Sequence, residues 1–307
     1  MEPWKAEIEF TTNELRSVLI QQAEHLFPAG VPDVRPYGEG YSQLVYTVGP
    51  NYVLRVPKQQ TAKQNLLNGI RMDQWLQSRL RSCPLPTSQI VWMSDEPIMM
   101  ALVTKIQGQT PGVTSESIRG ESAEQLAIFL RWLHDQSADE LRDYGVEKPS
   151  YIRMERNHLI KGVSERYEFA RQQQWFDQVQ LAEIHHVIES FHNTAPLELM
   201  NVPLHGDVHP LNLLVDDDGR LTAIIDWDDA YIGHPAVDLS IVYSWIPENS
   251  RSLFWKCYGV IDEQTKQYAR MTALYIGLHI HWSTMITNDA KREKLARQMI
   301  TDCISGR

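Results

Sequence analysis

The hydrophobic period of this chain changes near residue 104, and that change constrains the fold more than any single motif. Before it, apolar residues alternate in short runs. Residues 43–48 (QLVYTV) and 52–56 (YVLRV) flank Gly49-Pro50-Asn51 and read as a hairpin. Residues 89–93 and 98–103 read as two more strands around Ser94-Asp95-Glu96-Pro97. Two helices accompany them. Thr11 and Glu14 form a capping-box pattern ahead of Leu15, Val18, Leu19, Leu26 and Phe27, and residues 63–80 carry helical spacing until Pro84 and Pro86. Gly108 and Pro111-Gly112 mark the break. Beyond it helical periods dominate. Ser122 and Gln125 suit the start of one helix, facing Leu126, Phe129, Leu130 and Leu133. Residues 172–192 read as another, with Phe176 and Val179 on its apolar face. One embedded hairpin is expected, 211–215 and 221–225, around Asp216-Asp217-Asp218-Gly219. The reading is α+β and bilobal. A small β-rich lobe over 1–104 and a larger helical lobe over 105–307 meet at a linker near 104–108, where a ligand is expected.

Composition narrows the function. With 307 residues the chain can bury a core without staples. A net charge of -10 disfavours a phosphate-backbone binder, so no nucleic-acid partner is expected, and it suits a cationic ligand. No uncharged apolar run is long enough to span a bilayer, and residues 1–10 (MEPWKAEIEF) lack a basic region followed by an apolar stretch, so no secretory signal is expected. Cys83, Cys257 and Cys303 lie far apart and form no disulfide framework. A cytoplasmic enzyme with no membrane partner is expected.

The densest polar cluster is His205-Gly206-Asp207-Val208-His209-Pro210-Leu211-Asn212, which runs into the apolar hairpin; the second strand of that hairpin ends at Asp226. Asp207 and Asn212 share one mouth, and the hairpin returns Asp226 to it. Two carboxylates and an amide are hard oxygen donors suited to Mg²⁺ and phosphate. Phosphoryl transfer needs this set: one Asp for the hydroxyl proton, an Asn and a second Asp for the metal. Protein kinases carry the same logic in H-R-D-x-x-x-x-N followed by D-F-G. His205, Asp207 and His209 also spell H-x-D-x-H, a metallohydrolase pattern that leaves Asn212 and the β-rich lobe unexplained.

Residues 205–215 (HGDVHPLNLLV) and 223–239 (AIIDWDDAYIGHPAVDL) resemble the aminoglycoside phosphotransferase family, relatives of choline kinases and macrolide kinases with a protein-kinase-like fold. Weaker likeness extends to 53–58 (VLRVPK) and 75–86 (WLQSRLRSCPLP). The resemblance implies Asp207 as catalytic base and Asn212 and Asp226 as Mg²⁺ ligands. It implies His205 and Asp238 as supports of the loop. Gly38-Glu39-Gly40-Tyr41-Ser42 resembles a loop covering the phosphates of ATP or GTP, with Gly38, Gly40 and Ser42 in contact. Thr104 to Ile106 falls where backbone groups hold the base. At the phosphate-contacting lysine of kinases this chain has Arg55, with Lys58 a fallback beyond Pro57. The helix glutamate that pairs with that cation is missing: counting back places Met72 there, with Asp73 beside it.

The resemblance implies a small hydroxylated acceptor, an aminoglycoside-type antibiotic first and a macrolide or choline-like metabolite as alternatives. Asp228 and Asp229, with Glu155, Glu165 and Glu168, are the acidic candidates for holding a cationic acceptor. A nucleotide-binding protein without catalysis is a further alternative, motivated by the missing glutamate.

Overall fold

A computed structural model describes residues 7–8, 10–40, 42–112, 115–147, 155–198 and 200–306. The chain divides into two compact units. One comprises Met1–Gln107, Asp143–Val146 and Ile225–Ala230; the other comprises Gly108–Arg142, Glu147–Ile224 and Tyr231–Arg307.

The first unit is built on five antiparallel strands. They are β1 (Val34–Glu39), β2 (Gln43–Val48), β3 (Tyr52–Pro57), β4 (Ile90–Ser94) and β5 (Met100–Thr104), in the order β1-β2-β3-β5-β4. Period-2 alternation decides what each side chain meets. Leu54, Val56, Ile98, Met100 and Leu102 pack with Leu15, Leu19 and Ala23 of helix α1 (Thr12–Ala23). Met99 and Ala101 pack instead with Leu66 and Ile70 of helix α2 (Lys63–Gln77). Arg55 stands between Leu54 and Val56 in β3 and opposite Ala101 in the ladder, so it projects with the α2 set. Burying Leu15 and Leu19 fully contributes roughly 1.5–3 kcal/mol each. The expected capping box forms: Thr11 Oγ1 accepts from Glu14 N–H, and the Glu14 carboxylate accepts from Thr11 N–H.

Strand β1 escapes the sequence reading. Its pairing with β2 slips between Pro36 and Gly38, which breaks the alternation that marks a strand. Gly38 therefore sits in β1 opposite Val45 rather than in the turn before β2. The α2 helix also stops earlier than its apolar pattern suggests. Its last turn closes as Ser78 N–H donates to Gln74 O and Ser78 Oγ to Trp75 O, leaving Leu80 41% exposed.

The second unit is mainly helical: α3 (Glu116–His134), α4 (Ala138–Asp143), whose last residue passes to the first unit, α5 (Arg156–Gln172), α6 (Gln178–His192), α7 (Ile241–Ser244), α8 (Glu248–Tyr258), α9 (Glu263–Thr287) and α10 (Ala290–Ile304). Helix α3 begins at Glu116, well ahead of the expected start at Ser122. Ser122 serves another purpose: its hydroxyl accepts from the backbone N–H of Leu221. The segment 172–192 is not one helix. It turns through Gln174 in a left-handed conformation and restarts at a capping box between Asp177 and Gln180. Val179, expected on the apolar face, is 71% exposed in the first turn.

Two small ladders interrupt the helices. β6 (Val202–Leu204) pairs with β9 (Tyr231–Gly233), and β7 (Leu213–Val215) pairs with β8 (Leu221–Ile224). The second is the expected hairpin, two residues shorter at the start of its first strand and one at the end of its second. Among the described residues no helix is long and apolar enough to cross a membrane.

Candidate active site

In the second unit, the chain leaves β6 at Leu204 and turns through His205-Gly206-Asp207. Gly206 takes a φ of +84°, which side chains rarely adopt. Fully buried Asp238 caps this turn: it accepts from His205 N–H at 2.8 Å and Gly206 N–H at 2.9 Å. Its Oδ2 also lies 3.1 Å from His134 Nε2, and His134 Nδ1 lies 2.8 Å from the Tyr258 hydroxyl. His205 is itself fully buried, and its Nδ1 accepts from Asp207 N–H at 3.3 Å. The imidazole is part of the turn's scaffold.

Asp207 is only partly buried, its side chain 29% exposed, with Oδ2 3.2 Å from His209 Nε2. The next turn, Pro210–Asn212, returns the chain to it. Asn212 Nδ2 donates to Asp207 O at 3.0 Å, which commits the amide nitrogen to the loop. Asn212 and Asp207 are thus tied through the loop's own backbone.

The hairpin hands the chain on to the first unit. Past Ile224, Asp226 is exposed and non-glycine, with φ +67° and ψ +69°. Such left-handed strain costs on the order of 1 kcal/mol or more and gathers at functional sites. Two residues on, Asp228 enters a buried ionic cluster. Arg55 Nη2 pairs with Asp228 Oδ1, Arg55 Nη1 with Asp73 Oδ2 at 3.0 Å, and Arg55 Nε donates to Gln43 Oε1 at 2.9 Å. Gln43 Nε2 donates to Asp228 Oδ2, and Ser88 Oγ to Asp73 Oδ1 at 2.8 Å.

The charges in this cluster do not balance pairwise. Burial alone would weaken the hold of Arg55 on its proton, but Asp228 and Asp73 outweigh it and raise the guanidinium above its ordinary value. Burial pushes both carboxyls up, Asp228 furthest, with Arg55 pulling each back.

The cation's partner on α2 is Asp73; Met72, where the count falls, is fully buried and apolar. The expectation for Asp228 needs correction: its carboxylate is 5% exposed and engaged by Arg55 and Gln43, so it is not open to an acceptor. Asp229 is half-buried beside it. The helical glutamates are engaged as well. Glu155 caps α5 by accepting from Asn157 and His158 N–H, Glu165 lies 3.9 Å from Lys161, and Glu168 pairs with Arg171 at 2.7 Å.

The remaining expected residues lie on the edges of the first unit's sheet. Gly40 N–H donates to Gln43 O and Ser42 O accepts from Lys58 N–H; Tyr41 lies outside the described residues. Lys58 is 3% exposed and comes directly after β3. Thr104 ends β5, its Oγ1 accepting from Gln89 N–H at 2.9 Å, and Ile106 lies just beyond in irregular chain.

Gln43, Asn68 and His134 carry no signal in the sequence. Each acts through a partner 100 or more residues away, and no local pattern marks them. The H-x-D-x-H reading finds no support: among the described residues no three His, Cys, Asp or Glu side chains group so as to hold a metal ion. Mg²⁺ asks less of a protein, one or two donors completed by phosphate and water. Taken each in its own unit, Asn212 offers an amide oxygen and Asp226 an exposed carboxylate, donors of the hard type that Mg²⁺ takes.

A family model described as the phosphotransferase enzyme family matches residues 33–273. Solved structures share the fold. The GDP and kanamycin complex of the aminoglycoside phosphotransferase APH(2″)-IIIa superposes with a TM-score of 0.65 at 19% identity, covering 94% of this chain and 97% of that one. Macrolide 2′-phosphotransferase MphH from Brachybacterium faecium superposes with a TM-score of 0.60 at 15% identity, covering 94% and 97%. By sequence, the protein YcbJ of Bacillus subtilis (strain 168) is 42% identical over 43 residues. That match spans 14% of each of the two chains.

Proposed function

Because the chain belongs to the phosphotransferase enzyme family, we propose that it moves the γ-phosphate of ATP or GTP onto a hydroxyl of a small molecule. The observation that carries this reading is the 205–212 loop. It presents one accessible carboxylate, Asp207, on a backbone held by Asp238 on one side and Asn212 on the other.

In this reading Asp207 accepts the acceptor's hydroxyl proton as its oxygen bonds the γ-phosphorus and the bond from that phosphorus to the β–γ bridging oxygen breaks, releasing ADP or GDP. His209 Nε2 at 3.2 Å orients the carboxylate, and the Asp238 cap fixes the turn before substrate arrives. Such preorganisation is where most phosphoryl-transfer catalysis resides. Asn212 Oδ1 and Asp226 would hold Mg²⁺, which when bound neutralises phosphate charge. Arg55 has five N–H donors and spends three on Gln43, Asp73 and Asp228; the rest are offered to phosphate. The turn at Gly40 and Ser42, with Gly38 behind it in β1, covers the phosphates, and the backbone from Thr104 to Ile106 holds the base. The ligands named for similar structures, GDP, ADP and ATP, support a nucleotide co-substrate.

An aminoglycoside-type acceptor is the first reading, supported by the net charge of -10, with Asp229 the acidic contact. A macrolide-type acceptor is the second, favoured by the engagement of Glu155, Glu165, Glu168 and Asp228 within the protein. The test is acceptor-dependent ADP or GDP release across aminoglycosides, macrolides and small alcohols. Release with one class assigns the acceptor; release with none, beside intact nucleotide binding, overturns the transfer reading.

A further inference from the structure

Asp226 is exposed and held in a left-handed conformation, and its restraint comes from the residues just after it in the chain. The Asn68 side chain, on α2, donates one N–H to Asp228 O at 2.8 Å and the other to Ala230 O at 2.7 Å. Both donors of one amide are spent on carbonyls of the same short segment. Asp228 adds a second fastening, its carboxylate taking Gln43 of β2 and Arg55 of β3. Gly69 makes this possible: a Cβ there would run into Asp228 Oδ1 and lie 2.8 Å from Arg55 Nη2. Trp227, between Asp226 and Asp228, is 2% exposed and so anchors the segment a third way. The segment Ile225–Ala230 accordingly belongs to the first unit, although the chain on both sides of it belongs to the second.

We propose that Asn68 and Asp228 are positioning residues that lock Ile225–Ala230 onto α2 and β3, setting the backbone conformation from which Asp226 acts. The inference rests on the metal-holding reading of Asp226 for its consequence, while the fastening itself stands apart from it. Outer partners that orient a metal-holding carboxylate affect metal affinity by about 10–100-fold. Losing the Asn68 amide frees two carbonyls and lets residue 226 relax toward an ordinary φ. Adding a Cβ at Gly69 pushes Asp228 off Arg55.

Two measurements on the full chain test this. The first is hydrogen–deuterium exchange without nucleotide or metal, on wild type, Asn68→Ala and Gly69→Ala. We expect faster exchange confined to the 225–230 segment in both variants, with α1 and the strand core unchanged. The second is calorimetric binding of ATP and GTP with and without Mg²⁺. We expect Mg²⁺-dependent affinity to fall about tenfold in both variants, while Mg²⁺-free affinity stays within about twofold in Asn68→Ala, the variant that leaves Arg55 untouched. Unchanged exchange at 225–230 in both variants overturns the proposal. Exchange rising everywhere, with both affinities falling together, also overturns it, because that marks general destabilisation. A wild type whose nucleotide affinity ignores Mg²⁺ overturns the metal-holding reading on which the consequence rests, and the exchange result then decides the fastening alone.

Discussion

At the scale of single residues, the loop 205–212 makes two different demands. Asp207 is accessible, so replacing it should leave the fold and remove chemistry. Asp207→Ala is expected to lower turnover by about 10²–10⁴-fold, the range of a lost general base, with thermal stability nearly unchanged. Near wild-type turnover in that variant would refute its role. Asp238 is the reverse case. It is fully buried and accepts two backbone N–H groups, so Asp238→Ala strands both donors and His134. The expected cost is about 2–5 kcal/mol, read in chemical denaturation, and Asp238→Asn should recover part of it. A loss below about 1 kcal/mol would mean the turn is held otherwise. The loop residues are legible because neighbouring positions carry their pattern in one stretch. The cluster on Arg55 is not, because its partners lie 12, 18 and 173 residues away along the chain. Sequence spacing places Met72 opposite Arg55; the helix instead offers Asp73, the residue beside it, and the chain adds a second carboxylate that no spacing rule supplies.

At the scale of elements, local caps and turns are easier to read than registers and tertiary contacts. The Thr11–Glu14 box, the hairpin of β2 and β3 and the turn at 216–219 all arise from local residues, and all form. Legibility fails where a residue's use is tertiary. Ser122 looks like a cap and serves β8; β1 hides behind its slipped register; Gln174 bends a segment whose apolar pattern suggests one helix. A cap that forms should carry its usual share of stability. Thr11→Ala removes the side-chain half of the α1 box, and since α1 seals one face of the first unit's core, the loss should appear in the whole unit. About 1 kcal/mol is expected, measured as a lowered denaturant midpoint, with nucleotide affinity unaltered. An unaltered midpoint would show that α1 is held by burial alone.

At the scale of the whole molecule, acid should act through His281 and His234, whose burial opposes protonation. His281 is 2% exposed, its ring packs on Trp175 at 4.2 Å between centroids, and neither ring nitrogen has a hydrogen-bond partner. Burial lowers its pKa to about 4, with Arg297 adding to the effect and Glu293, 4.0 Å away, opposing it. His234 is lowered to about 4 for the same first reason. The unfolded chain takes up these protons near its ordinary histidine pKa, about 6.5, and the folded chain only near 4. Between those values the unfolded state binds more protons, so stability is present above the upper limit and drains as pH falls. The buried carboxyls Asp73 and Asp228 oppose this, because their raised pKa values mean the fold gains as they protonate. The two contributions separate by mutation. His281→Phe keeps an aromatic ring against Trp175 and Phe176 and removes the titration. We expect the wild type to lose about 1–2 kcal/mol more than His281→Phe between about pH 7 and pH 4.5, read from denaturation midpoints across the series. Parallel pH profiles for the two proteins would show that His281 does not titrate with unfolding, and would leave the acid sensitivity to His234.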